Sequence, residues 1–103
     1  MINDLDLRVG TIVEAREFPE ARKPAYQLRI DVGPLGQLAS SAQITNYALD
    51  ELPGKQVVVA VNLGTKRIAG FKSECLVIAA VDKDGVAHLL SPDPGSENGD
   101  QVA

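Results

Sequence analysis

A chain of 103 residues with a formal net charge of −4, 45% apolar and 23% charged, has the size and make-up of one soluble globular domain. It contains no apolar run of about 18 residues, which excludes a membrane-spanning helix. Cys75 is the single cysteine, which excludes an internal disulfide. The opening Met1-Ile2-Asn3-Asp4-Leu5-Asp6 is acidic and lacks the basic-then-apolar order of a signal peptide. The expectation is therefore a reduced, cytoplasmic protein with no membrane partner, forming one domain over residues 1–103.

The elements read mostly as strands. From Leu7 to Arg16 the set Leu7, Val9, Thr11, Val13, Ala15 alternates with Arg8, Gly10, Ile12, Glu14, close to the period of a half-buried strand. Gly10 inside it marks a bulge or a barrel corner. Glu17 to Pro24 is polar with two prolines and reads as a loop. Tyr26, Leu28, Ile30 and Val32 alternate with Gln27, Arg29 and Asp31 as a second strand, closed by the turn Gly33-Pro34-Leu35-Gly36. Leu38 to Ile44 is a third strand with small and polar residues (Ala39, Ser41, Gln43) on one face.

A short helix is predicted near Asn46–Leu52, capped by Thr45 or Asn46 and stopped by Pro53-Gly54. Gln56 to Leu63 and Ser73 to Val81 are nearly continuous apolar runs, the pattern of strands covered on both faces. One face fills a barrel; the other needs a helix or a second subunit over it. Asp84-Gly85 signals a hairpin pairing Ser73–Val81 with Val86–Leu90. Pro92 to Gly99 is turn-rich. Three strands, a short helix and two more strands make an all-β fold, laid out as a five-stranded oligonucleotide/oligosaccharide-binding (OB) Greek-key barrel. An SH3-like barrel is the rival, and the helix between the third and fourth strands favours the OB layout.

Charge is unevenly distributed. Arg16 to Lys72 holds eight basic against five acidic residues, whereas Asp82 to Ala103 holds one basic against five acidic. A locally basic surface on an acidic chain predicts modest, salt-sensitive binding of an anionic ligand. Cys75 lies in an apolar run and reads as a small core residue, and His88 as a strand residue, so no nucleophile–base pair is expected. No spaced ligand set suggests a metal or cofactor, and none is expected. The reading is a binding module, not an enzyme.

Five segments in order carry a resemblance: Asp6-Leu7-Arg8-Val9-Gly10-Thr11-Ile12, Phe18 to Tyr26, Ser40 to Thr45, Ile68-Ala69-Gly70-Phe71-Lys72-Ser73-Glu74, and the close from Pro92 to Asn98-Gly99. Together they resemble the tRNA-binding-domain family of OB barrels, in its CsaA-like branch. Many members of the wider family carry glycine and methionine after the Ser-Glu pair. Here Cys75 and Leu76 stand there, which weakens a simple transfer of tRNA affinity and strengthens the CsaA-like assignment. The resemblance implies binding of tRNA or a similarly folded RNA, and a homodimer formed through the terminal segments. CsaA-type members are also linked to chaperone-like binding of unfolded or export-bound polypeptides, the alternative reading.

Lys66, Arg67 and Lys72 are candidates for phosphate contacts, against an ordinary solvated loop. Asn62, Ser73 and Glu74 offer donors and acceptors for base edges or ribose hydroxyls, against turn capping. Ser40, Ser41 and Gln43 are candidates for the same face, against plain strand-surface hydrogen bonding, and Arg22 and Lys23 lie in a loop able to close over a ligand, against an unengaged loop. Phe71 is either an exposed anchor for a base or an apolar peptide side chain, or a barrel plug. The four aromatic rings, Phe18, Tyr26, Tyr47 and Phe71, are too few for a base-stacking single-strand binder.

Overall fold

Residues 4–103 are described by a computed structural model. Strands form at β1 (Leu7–Glu17), β2 (Tyr26–Asp31), β3 (Gln37–Ala42), β4 (Gln56–Ala60), β5 (Lys66–Ile68), β6 (Phe71–Ser73), β7 (Leu76–Val77), β8 (Ala79–Val81), β9 (Ala87–Leu89) and β10 (Gln101–Val102). The main sheet is antiparallel, in the order β3-β2-β1-β4-β7, with β10 also on β1; β5–β6 and β8–β9 are separate hairpins. The sheet curls until β3 and the β6–β7 connection meet. There the join is made partly by side chains: Glu74 donates its N–H to the Ala39 carbonyl (2.8 Å), and its Oε1 accepts the Ala39 N–H (3.0 Å). Ser73 Oγ accepts the Ser41 N–H (3.0 Å), and Ser40 Oγ donates to the Cys75 carbonyl (2.8 Å). The result is a nearly closed, barrel-like sheet.

The inner face of β1 departs from its apolar alternation at Ile12 and Val13. Ile12 is fully buried in the main core, whereas Val13 is 41% exposed. Two features set the phase. Gly10 faces inward because β2 passes so close that a Cβ there would stand 2.6 Å from Ile30 Cγ2. The register then slips between Ile12 and Glu14, leaving Val13 as the extra, outward residue of a bulge. Leu28, Ile30 and Val32 point inward as expected, joined by Ala42, Ile44, Leu52, Val57, Val59, Cys75 and Val77.

The other face of β4 also differs in how it is covered. Val58 and Ala60 form a second buried cluster with Leu7, and Leu5, Ile78 and Val102 pack over it. Both ends of the chain thus cover this face from within, where a helix or second subunit was expected. The C-terminal tail fills the edge of β1 beyond the reach of β2: Gly99 donates to the Val9 carbonyl (2.7 Å), and Val9 donates to Asp100 (2.9 Å).

Among the described residues there is no α-helix. The expected helix over Asn46–Leu52 is a single 3-10 turn, Leu49–Glu51, between β3 and β4; a second such turn is Gly33–Leu35. Tertiary hydrogen bonds compete with helix here. The Tyr47 carbonyl accepts from the Tyr26 hydroxyl (2.9 Å), and Asn46 Nδ2 donates to Ala87 (2.9 Å) instead of capping. Glu51 still accepts the Ala48 N–H (2.7 Å), half of a capping box. The Ser73–Val81 run is likewise divided, since it serves β3, β4 and β9 in turn. The Asp84-Gly85 hairpin forms, with Val81 opposite Ala87.

Candidate functional site

The stretch after β4 is a hairpin, not an open loop. Lys66 lies opposite Ser73, Arg67 opposite Lys72, and Ile68 opposite Phe71. The tip is Ala69-Gly70, with φ of 47° and 82°. Two consecutive positive φ angles are the signature of a tight I′ hairpin turn. Opposed residues share a face and successive ones alternate. Ser73, Phe71 and Ile68 are buried or half-buried, so their face turns toward the barrel, and Lys66 with them. Arg67 and Lys72 stand side by side on the opposite, exposed face.

Two open grooves run along the barrel side of this hairpin. One, of about 410 Å³, is walled by Glu20, Arg22, Lys23, Ser41, Gln43 and Ile68. The other, of about 530 Å³, is walled by Ser41, Gln43, Leu63, Lys66, Ile68 and Leu76. They share Ser41, Gln43 and Ile68 and so adjoin, together making a depression between residues 20–25 and the hairpin. Arg67 and Lys72 line neither.

The polar candidates divide sharply. Ser41 and Gln43 border the depression, as do Arg22, Lys23 and Lys66. Ser40 is fully buried; Ser73 is 9% exposed and borders the larger groove, and both hydroxyls are engaged in closing the barrel. The Glu74 carboxylate holds the Ala39 N–H. Asn62 is tied to the N-terminal segment, accepting from the Asp6 N–H (2.8 Å) and donating to the Asp4 carbonyl (2.7 Å). Phe71 stacks edge-on against the buried Phe18, with ring centroids 5.4 Å apart. Sequence reasoning missed Leu63, Ile68 and Leu76 as groove walls; the exposure of Leu63 (54%) and Leu76 (49%) within apolar runs has no local signature.

Charge pairing separates the cations too. Arg8 is bound to Asp6 (2.7 Å), and Arg16 and Arg29 share Glu14 (2.8 and 3.2 Å). The Arg16 hydrogen bond holds the Glu14 carboxyl below its usual range. Lys55 sits 5.9 Å over the Tyr47 ring. Arg22, Lys23, Lys66, Arg67 and Lys72 are exposed and make no ion pair among the described residues. Lys55 and Lys83 also lack an ion pair and lie elsewhere, so five of the seven unpaired cations among the described residues surround the depression and the hairpin.

Cys75 and His88 are each engaged locally. Burial pushes the Cys75 thiol up to about 11, and its Sγ lies 3.7 Å from the Ala39 carbonyl. His88, on the far hairpin, contacts Asp82 (2.9 Å) and holds that carboxyl low. Among the described residues no group of three or more His, Cys, Asp or Glu could hold a metal ion, and no helix is long and apolar enough to cross a membrane.

Residues 7–101 match the putative tRNA binding domain family. The chain belongs to that family. Within it the CsaA-like character is plain: the CsaA chaperone protein of Picrophilus torridus is 50% identical, with a TM-score of 0.91 over 97% of this chain and 92% of that one. Chaperone CsaA of Bacillus anthracis is also 50% identical, with a TM-score of 0.90 over 96% of this chain and 91% of that one. Among curated relatives of this tRNA-binding domain, a methionine–tRNA ligase of Porphyromonas gingivalis is 38% identical over 98 residues. The match covers 95% of this chain but only 14% of that ligase, so the likeness is to one segment of a much longer enzyme.

Proposed function

We propose that this chain is a non-catalytic RNA-binding module that takes tRNA or a similarly folded RNA through the depression and hairpin described above. One observation carries the reading: Arg22, Lys23, Lys66, Arg67 and Lys72 are exposed without ion pairs around one feature, while Arg8, Arg16 and Arg29 are neutralised elsewhere. Phosphate contacts by such cations position an RNA, and the Gln43 side chain and the Ser41 strand edge beside them supply neutral polar partners. Family membership supports tRNA as the ligand class. Asn62, Ser40, Ser73 and Glu74 act by holding the site's frame. The frame is an OB Greek-key barrel forming a single unit over 1–103, with β1 to β4 and β7 as its five strands and Leu49–Glu51 standing where the helix was expected. Its setting is cytoplasmic.

Changing Lys66, Arg67 and Lys72 together to glutamine is expected to weaken tRNA binding and to lower the salt slope by about 0.9 for each phosphate no longer neutralised. The unfolding midpoint should hardly move, because exposed substitutions shift stability by roughly 0.5 kcal/mol or less. RNA carried through purification would show in the ultraviolet absorbance ratio and vanish with nuclease.

A second reading has its own support in the apolar wall of the groove, Leu63, Ile68 and Leu76, and in the chaperone neighbours. Here the groove takes apolar segments of unfolded or export-bound polypeptides. Such binding survives high salt and falls on Leu63→Ser or Leu76→Ser, whereas RNA binding falls with salt and with loss of the cations. A titration of tRNA and of a denatured polypeptide at low and high salt separates them; no tRNA binding at low salt alongside polypeptide binding would reverse the preference.

A further inference from the structure

We propose that the β5–β6 hairpin is a basic wedge with two working faces, which seats between the two phosphate backbones of a paired RNA. Lys66, with Arg22 and Lys23 across the depression, meets one backbone; Arg67 and Lys72 meet the other. The inference rests on the RNA reading above and adds to it the structural class of the RNA: a helix, not a single strand.

Three observations converge on it. The register puts Arg67 directly opposite Lys72, on the face away from the barrel, and Lys66 on the face toward it. Like charges directly opposite one another destabilise a strand pair, and a two-stranded hairpin has little stability to spare. Arg67 and Lys72 nevertheless have no carboxylate partner among the described residues, so nothing described in the chain offsets their mutual repulsion. A single line of phosphates along the groove satisfies Lys66, Arg22 and Lys23 only. A second line, on the far side of the hairpin, satisfies the other two.

The tip is narrow as well. Ala69-Gly70 turns the chain in two residues and presents no bulky side chain, so nothing blocks entry between two backbones. The aromatic rings then argue against a single strand. Phe18 is buried and stacked with Phe71. Tyr26 and Tyr47 are half-buried against the main core, and Lys55 already lies 5.9 Å over the Tyr47 ring. Single-strand binders hold successive bases on free rings. A-form RNA, in contrast, offers two backbones flanking a wide, shallow minor groove and is recognised by shape and backbone.

The test measures binding by fluorescence anisotropy across a salt series, with three probes: a tRNA transcript, a blunt RNA duplex, and an unstructured single strand of the duplex's length. Two paired variants are compared, Arg67→Gln with Lys72→Gln, and Lys23→Gln with Lys66→Gln. Each pair is expected to lower the salt slope on tRNA and on the duplex by close to two units, at about 0.9 per phosphate. On the single strand the Arg67/Lys72 pair should change nothing. The exchange Arg67→Lys with Lys72→Arg should keep the wild-type slope, and far-ultraviolet circular dichroism verifies that each variant is folded. If the Arg67/Lys72 pair is silent on the duplex while the other pair weakens it, the wedge is wrong and RNA binding stands. Single-strand binding as tight as duplex binding also overturns the wedge alone. Absence of tRNA binding by the wild-type chain at low salt removes the RNA reading, and the wedge with it.

Discussion

Asn98-Gly99 shows how much a two-residue motif can determine. The Thr11 hydroxyl donates to Asn98 Oδ1 (2.8 Å), and Gly99, at φ 95°, lies against Pro34. A Cβ on Gly99 would stand 2.6 Å from Pro34 Cδ and 3.1 Å from the Val32 carbonyl. Gly36, at φ 82°, has open space around it. Gly36, with ψ −162°, holds a backbone conformation that glycine alone adopts readily, so Gly36→Ala should cost that strain alone, about 1–3 kcal/mol, whereas Gly99→Ala adds the overlap to its own strain, a further cost of roughly 1–3 kcal/mol. At roughly 4–8 °C per kcal/mol for a domain of this size, the two unfolding midpoints should be clearly separated; equal midpoints would mean that the tail does not pack here. Cys75 gives a second test. Its thiol, normally near 9.0, is raised to about 11 by burial, so the folded chain keeps this proton when the unfolded chain has lost it. Below about pH 9 the contribution is complete. Between about pH 9 and 11 the unfolded state binds fewer protons and stability falls, by roughly 2–3 kcal/mol in all. Cys75→Ala should flatten this part of the alkaline limb relative to wild type, and the native thiol should resist alkylation at neutral pH; superimposable limbs would show that the thiol is not buried.

At the scale of elements, the seam between β3 and the β6–β7 connection is held in large part by side chains, and its weakness should be local. Glu74→Ala leaves the Ala39 N–H without its acceptor, at a cost of about 1–3 kcal/mol. Glu74→Gln keeps an amide oxygen in place and should cost less. The distinguishing measurement is native-state hydrogen exchange. Protection of Ala39 and Ser41 should drop in Glu74→Ala, while the β1–β4 ladder from Leu7 to Thr11 stays protected. A uniform loss across both would mean that the barrel opens as one unit. The hairpin beyond the seam is short, and its basic faces depend on this seam for their position relative to β3.

At the scale of the whole molecule, the two chain ends have a structural task. Leu5 and Val102 cover Leu7, Val58 and Ala60, so removing residues 97–103 should uncover that cluster and lower the unfolding temperature at every protein concentration. A homodimer formed through the terminal segments makes a further, concentration-dependent forecast: sedimentation equilibrium should give twice the chain mass, and the midpoint should rise with concentration. Loss of Pro92–Ala103 should weaken that association. A monomer at all concentrations would end the dimer proposal and leave the covering role of the tail untouched.

The sequence by itself determined that the chain is built of strands, where its main turns fall, and which stretch carries the basic cluster. These are local properties: alternation with period two, glycines and prolines at turns, and charges close together along the chain. Tertiary structure decided the inner face of β1, whereas β2 follows its own alternation. Ile12 is core and Val13 is not because a bulge and a close approach of β2 reset the phase, and both depend on residues far along the chain. Tertiary structure also decided what the polar candidates do. Ser40, Ser73 and Glu74 are engaged by partners more than thirty residues away, and Asn62 by partners more than fifty away, and no local pattern announces such partners. The same limit applies to the cations: their clustering is visible in the one-dimensional order, but their division between two faces is a matter of strand register, which exists only once Arg67 and Lys72 are paired.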